Sequence, residues 1–459
     1  MNLKNHISPA ALIAWSSLLI ASCSLTNSSW PQFRGSESNM VAIGNNLPTE
    51  WNDSLNLKWS CNLSGEGWSS PIVFGDKIFI TSAFLEKAAP ALAPPPVPTN
   101  NQRVQQGPPP PPPAEDNSYT KEVYRWELTC IDLKSGKEIW KQIAHDGSPK
   151  IKKHEASTYA CETPVTDGKR IYAYFGMTGV YCYDLDGKLV WQKDLGAFKT
   201  RNGWGTGSSP VVYNDVLYVQ VDNDEHSFLV ALDAATGNEK WKVDRDELTN
   251  YSTPVIWKNK IRTELVTLGK IARSYDPITG NLLWELNMKG EMAIPSPVYN
   301  NDHIYLGYSG GPQKPGILYS IKAGSKGDIT PVDSSQVSSG VEWTAKNSGI
   351  SNPSPLLYNG LLYLLSGRGG EISCLDATSG QLVYKEKVDK VGACWSSPWA
   401  CGDKIYFYDE KGATQVIQAG KEFKALSQNY IDDKFWASVA ITSDAYVFKG
   451  VKKLYCVKK

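Results

Sequence analysis

The chain has 459 residues, and its 47 Lys and Arg balance 47 Asp and Glu, so no net charge draws it to nucleic acid or an anionic membrane. At 41% hydrophobic and 20% charged it has a globular composition and not a disordered one. Length alone would suggest two or three domains, but 38 Gly, 28 Pro, 16 Trp and 23 Tyr point to one turn-rich, all-β structure.

Met1–Asn2–Leu3–Lys4 leads into an apolar stretch from Ala10 to Ala21. It is shorter than the roughly 20 residues needed to span a bilayer, and it suits the apolar region of a secretory signal. Ile20–Ala21–Ser22–Cys23 resembles a bacterial lipobox, in which the Cys thiol receives a diacylglyceryl group. The expectation is a signal peptide over 1–22, lipidation at Cys23 and a single mature domain over 23–459. Multiple acyl chains hold a soluble domain on a membrane stably. Ser24 in place of Asp favours, by the same resemblance, the outer membrane. The alternative is an ordinary signal peptide followed by a chance Cys.

The rest of the chain is a repeat. Ser-Pro or Thr-Pro introduces an apolar segment at Ser70–Pro71, Thr163–Pro164, Ser209–Pro210, Thr253–Pro254, Ser296–Pro297, Ser354–Pro355 and Ser397–Pro398, with a degenerate copy at Ser438–Val439. The spacings are 93, 46, 44, 43, 58, 43 and 41 residues, which is a unit of about 44 with a long insertion in the first copy and a shorter one in the fifth. Each unit continues through a second and a third strand into a Gly turn and a fourth strand carrying an aromatic residue. The clearest copy runs Ala231–Leu232–Asp233–Ala234–Ala235–Thr236–Gly237–Asn238–Glu239–Lys240–Trp241. Asp and Thr cap the turn, Gly takes the positive φ, and Trp packs between sheets.

Four short strands per unit is the pattern of a β-propeller blade. Eight starts and eight fourth-strand aromatics (Trp59, Trp140, Trp191, Trp241, Trp284, Trp343, Tyr384 and Phe423) predict eight four-stranded blades; seven is the alternative, because the seventh unit is poorly patterned. The strand around Trp59 has no start before it, and the strands through Leu454–Tyr455–Cys456 have no closing strand after them. Pairing the two completes the eighth blade and leaves no open sheet edge.

Residues 88–118 fall between the second and third strands of the first blade and carry a run of six prolines, which cannot join a sheet. The segment reads as a docking tether or as a tolerated loop expansion. Cys130, Cys182, Cys374 and Cys456 share one third-strand slot where other copies place Ala231 or Ser274, so they read as buried thiols. Cys61, Cys161, Cys394 and Cys401 are left over, with any pairing among them open.

Propeller ligands sit where the inner strands begin, so the residues before each start are candidates: Glu66, Trp68, Tyr159, Glu162, Asn202, Trp204, Tyr251, Glu291, Met292, Asn352, Trp395, Phe435 and Trp436. Aromatics recur in six of these eight segments, as a ring that grips a planar ligand, peptide or sugar, or as a plug of the channel mouth. The candidate channel-mouth set is Trp68, Tyr159, Glu162, Arg201, Trp204, Tyr251, Asn352, Trp395 and Trp436. Asp222–Asn223–Asp224–Glu225–His226 is an acidic loop lacking the Gly and distant Glu of an EF-hand, so it reads as a hairpin tip. His6, His145, His154, His226 and His303 are scattered, and no catalytic residue or metal ligand stands out; His154–Glu155 is an isolated pair before the second blade.

The element Ala231 to Trp241 resembles the tryptophan-docking motif of the pyrroloquinoline quinone (PQQ) repeat. The likeness extends over nearly the whole mature chain, including Trp30–Pro31–Gln32–Phe33–Arg34–Gly35. It implies a PQQ-like propeller, a superfamily holding quinoprotein dehydrogenases and BamB-type envelope lipoproteins, and it speaks to fold more than to activity. The dehydrogenases imply cations for the PQQ carboxylates, a calcium, an Asp base and a vicinal disulfide. Here no Cys-Cys dipeptide exists, and Arg201, Arg245 and Arg368 are the arginines placed near that face. The expectation is a monomeric, non-catalytic envelope propeller that binds protein or glycan partners and holds no cofactor. The alternative is a PQQ- and calcium-dependent dehydrogenase of alcohols or sugars, with Glu162 or Asp222 as base.

Overall fold

The computed structural model describes residues 29–42, 47–87, 122–290, 292–310, 316–332, 337–346, 348, 350–367 and 369–459. Its strands form eight sheets, each one blade of four antiparallel strands, one of them with a short fifth strand added. Blade 1 is Ile72–Phe74, Lys77–Lys87, Val123–Asp132 and Glu138–Gly147, and the later blades repeat that order outward from the axis. In blade 8 the strand Leu57–Asn62 pairs antiparallel with Lys453–Lys458, with Trp59 opposite Cys456. Eight blades are therefore present, closed by the two chain ends. Among the described residues the helical pieces are two 3-10 turns, Gly176–Thr178 and Arg201–Gly203.

The starts recur for a physical reason: their hydroxyls tie neighbouring blades together. The Ser70 N–H donates to Thr163 Oγ1 (2.9 Å), Thr163 N–H to Ser209 Oγ (2.9 Å), Ser209 N–H to Thr253 Oγ1 (3.1 Å) and Thr253 N–H to Ser296 Oγ (3.0 Å). Ser296 N–H donates to Ser354 Oγ, Ser397 N–H to Ser438 Oγ, and Ser438 N–H back to Ser70 Oγ. The following Pro supplies no N–H, which suits the first residue of a strand facing the axis.

The fourth-strand Trp and the Gly turn are the two halves of one joint. Trp59, Trp140, Trp191, Trp241 and Trp343 each donate their Nε1–H to a turn carbonyl of the next blade: Leu133, Leu185, Ala234, Pro277 and Ala377. The indole lies where a Cβ on the turn Gly would stand, at 2.6 Å for Gly136, 2.8 Å for Gly187, 2.7 Å for Gly237, 2.9 Å for Gly280 and 2.5 Å for Gly380. Only Gly allows that approach, and it also takes the positive φ. Burying roughly 200 Å² per indole gives about 5 kcal/mol of gross driving force per joint.

Trp284 departs from this pattern. Its Nε1–H donates to Glu264 of its own blade (2.7 Å), a fully buried carboxylate that also accepts from Ser274, Asn259 and Arg262. The shorter insertion of the fifth unit explains why: its strand Gly327–Asp328 pairs in parallel with Trp284 and Glu285 and makes blade 4 five-stranded.

The shared third-strand slot is the position opposite that aromatic: Cys130 faces Trp140, Cys182 faces Trp191, Cys374 faces Tyr384 and Cys456 faces Trp59. Ala231 and Ser274 hold the same place opposite Trp241 and Trp284. Burial pushes each of the four thiols up to about 12, so they stay protonated packing groups. None of the eight described cysteines, Cys61, Cys161, Cys394 and Cys401 among them, forms a disulfide.

The role of Trp30–Gly35 emerges only in three dimensions. It begins a strap across the channel, on the side towards which the inner strands run. Trp30 exchanges backbone hydrogen bonds with Val73, the Pro31 carbonyl accepts from Thr166 N–H, and Met40 and Ala42 bracket Ala400. Asn39 makes two hydrogen bonds to the Leu357 backbone, and the buried Arg34 guanidinium donates to the carbonyls of Ser296, Pro297 and Pro355. With no carboxylate beside it, burial lowers Arg34 to about 9.

The insert 88–118 and Cys23 lie outside the described residues. The strands flanking the insert, Lys77–Lys87 and Val123–Asp132, are the second and third of blade 1.

Candidate functional site

The inner strands leave a central cavity of about 180 Å³. Two rings of eight residues and one floor residue line it. The lower ring is the hydroxyl set Ser70, Thr163, Ser209, Thr253, Ser296, Ser354, Ser397 and Ser438. The upper ring is the residue two places before each of these: Trp68, Cys161, Gly207, Tyr251, Ile294, Asn352, Trp395 and Trp436. Phe33 of the strap closes the floor, so the cavity is blind at that end.

The two-residue step follows from extended backbone, in which alternate side chains point the same way. It brings together Trp68, Tyr251, Asn352, Trp395 and Trp436 of the candidate set. It also adds Cys161, Gly207, Ile294 and the hydroxyl ring, which an aromatic-centred reading of the sequence passed over. The signal was present: position minus two in every copy.

The upper ring is lopsided. Trp436 stacks on Trp395 at 4.4 Å between ring centroids with planes 5° apart, and lies 3.6 Å from Trp68 on its other side. Three indoles therefore wall the arc over blades 7, 8 and 1. Glu410 fixes Trp395 through its Nε1–H (3.1 Å). Cys161 and Gly207 supply small residues over blades 2 and 3, and the Tyr251 ring lies 3.3 Å from where a Gly207 Cβ would stand. Trp436 Nε1 and Tyr251 Oη are buried without a hydrogen-bond partner. None of the seventeen lining residues is charged.

The other candidates stand elsewhere. Glu162, one place before its start, points away from the axis between blades 2 and 3, where it is 1% exposed and accepts from Thr206. Burial raises its carboxyl to about 7. Tyr159 packs on Tyr124 and Trp126 and donates to the Ile151 carbonyl (3.2 Å). Trp204 meets His154 edge-on at 6.3 Å, and Arg201 is held by its backbone N–H to Thr249, so both belong to loops outside the lining.

The acidic loop is the tip of the hairpin between Val216–Val221 and Phe228–Asp233, with Asp224, Glu225 and His226 exposed. At its base Asp222 forms a buried ion pair with Arg245 (2.8 and 3.1 Å), while Asp224 and Glu225 cap neighbouring loop amides. Glu291 and Arg368 lie outside the described residues. The Lys449 amine is buried near Ser70 and spends its protons on the Ser69 carbonyl and hydroxyl and the Thr81 carbonyl. Burial lowers it to about 7. No three His, Cys, Asp or Glu side chains among the described residues gather as a metal site.

Residues 124–305 match the family model described as outer membrane protein assembly factor BamB. Over that stretch the chain resembles the BamB-like PQQ repeat, within an eight-bladed propeller. BamB from Moraxella catarrhalis is similar at a TM-score of 0.52 and 11% identity, over 72% of this chain and 91% of that one. Quinohemoprotein alcohol dehydrogenase from Comamonas testosteroni is similar at a TM-score of 0.57 and 10% identity, over 94% of this chain and 80% of that one. At these identities the likeness is one of fold, and it includes both a scaffold-type and an enzyme-type propeller. No curated protein sequence matches the chain.

Proposed function

We propose that this propeller is a non-catalytic binding protein of a bacterial envelope, anchored through acylated Cys23, with its cavity face turned to protein or glycan partners. The chemistry of the cavity carries the reading. PQQ is a flat tricarboxylate, and a site for it needs cations; the described lining supplies none, so it does not fit the group. Glu162 and Asp222, the carboxylates considered as bases, lie outside that lining.

Anchoring at Cys23 would also set the orientation. Six residues separate it from Trp30, a span of about 25 Å at most. Since Trp30 is pinned to the strap side, the strap faces the membrane and the indole wall faces away from it.

Thermal unfolding of the protein without residues 1–22, titrated with PQQ with and without calcium, tests the reading. A ligand at one hundred times its Kd adds about 2.7 kcal/mol, so the expected result is no shift at millimolar PQQ. A saturable, calcium-dependent rise would establish a quinone enzyme instead. Crosslinking in membranes is expected to recover envelope partners beside the bait. The Cys23→Ala variant, fractionated from cells, is expected in the soluble fraction; retention in the membrane would refute the lipid anchor.

A further inference from the structure

We infer that the central cavity binds the uncharged pyranose end of a glycan chain, an assignment that rests on the binding reading above and names its ligand. The hydroxyl ring supplies the first argument. Seven of its hydroxyls each accept a neighbouring backbone N–H, and among the described residues none of the seven donates its own proton onward. A hydroxyl has both a donor and acceptor sites. The lower cavity is therefore a circle of available O–H donors.

Two further donors belong to residues of the same lining. Tyr251 and Trp436 line the cavity, and their Oη and Nε1 are buried without a partner. Leaving such groups unpaired costs about 1–3 kcal/mol each, and an acceptor in the cavity would relieve both. The ligand is therefore rich in hydrogen-bond acceptors.

It is also uncharged. A carboxylate or phosphate would be buried among seventeen lining residues of which none is charged, while the buried cations behind them, Arg34 and Lys449, already donate to protein oxygens; the cost is several kcal/mol. A ring with hydroxyls on its rim and apolar C–H faces matches hydroxyls below and indoles on one wall. The volume of about 180 Å³ is below the usual pocket range of about 300–1,000 Å³, so it admits one ring. Phe33 of the strap closes the floor, so the chain enters by its end from the opposite mouth.

The test titrates the protein with maltotriose, cellotriose and chitotriose, with trigalacturonate as the charged control, following indole fluorescence. At least one neutral trisaccharide is expected to give a saturable change, and trigalacturonate none. Tyr251→Phe removes a hydroxyl that has no protein partner, so its melting temperature should hold while affinity falls about fivefold. Trp436→Phe keeps a ring in the stack and removes the other donor, with a loss of similar size.

Silence of all three neutral sugars, equal binding of trigalacturonate, or unchanged affinity in both variants would each overturn the assignment. If PQQ stabilises the protein, the binding reading itself falls. If envelope partners are recovered while the sugars stay silent, only the glycan assignment falls.

Discussion

Gly237→Val is expected to destabilise the propeller by about 4 kcal/mol. Gly237 has φ +72°, a region that costs an L-residue roughly 1–2 kcal/mol. Its Cβ would stand 2.7 Å from the Trp191 ring, so the indole must leave its dock. That overpacking adds about 1–3 kcal/mol, and losing the bond from Trp191 Nε1 to the Ala234 carbonyl (3.1 Å) adds about 1 kcal/mol.

Gly75→Ala is the control. Its φ is +59°, but nothing lies within 4 Å of its Cβ position, so only the backbone term of about 1 kcal/mol remains. Urea unfolding followed by tryptophan fluorescence measures both. Equal midpoints for the two variants would refute the claim that the Gly turn is the seat for the preceding blade's indole.

Glu162→Gln is expected to stabilise the protein above pH 7 and to leave it unchanged near pH 4. The sign follows from linkage. Burial raises the folded carboxyl to about 7 from an ordinary 4.5. Below 4.5 both states are protonated and the stability is fully present. Between 4.5 and 7 the unfolded chain gives up its proton first, so stability falls as pH rises, and above 7 the loss is complete. A shift of that size corresponds to about 3 kcal/mol.

Glutamine has no proton to lose, so the variant should show a flatter stability profile from pH 4.5 to 7. Lys449 acts over a different range. Its folded amine is lowered to about 7 from 10.5, so its contribution rises with pH between those values and is silent below 7. Denaturant midpoints measured in half-unit steps from pH 4 to 7 isolate Glu162. A variant whose midpoints track the parent's across that window would place the carboxyl in water and not between the blades.

The two sites also mark how far the sequence could be read. Gly237 and Trp191 announce themselves because each sits at a fixed offset inside a repeated unit, and the same joint recurs in five pairs of blades. Glu162 looked like a channel residue because it directly precedes a Thr-Pro start. One residue is half a strand repeat, so Cys161 and Thr163 face the axis while Glu162 turns between blades. Arg245 does lie at the end of the propeller where the inner strands begin, but its guanidinium is taken up by Asp222 of the same blade. A long side chain reaches the nearest buried opposite charge, and the repeat pattern does not say where that lies.

By itself, the sequence determined what repeats: the all-β class, the eight units, the joint between Trp and Gly, the small slot opposite the indole, and the closure by the two chain ends. These follow from chemistry within one unit or between neighbours, and eight copies of the same signal are visible without coordinates. The tertiary structure decided what does not repeat. It showed that the Trp30–Ala42 strap seals one end of the channel, that Trp68, Trp436 and Trp395 stack along one arc, and that no charge lines the cavity. Those properties come from residues up to hundreds of positions apart meeting on one axis, where strand parity and ring closure set which side chains share the space.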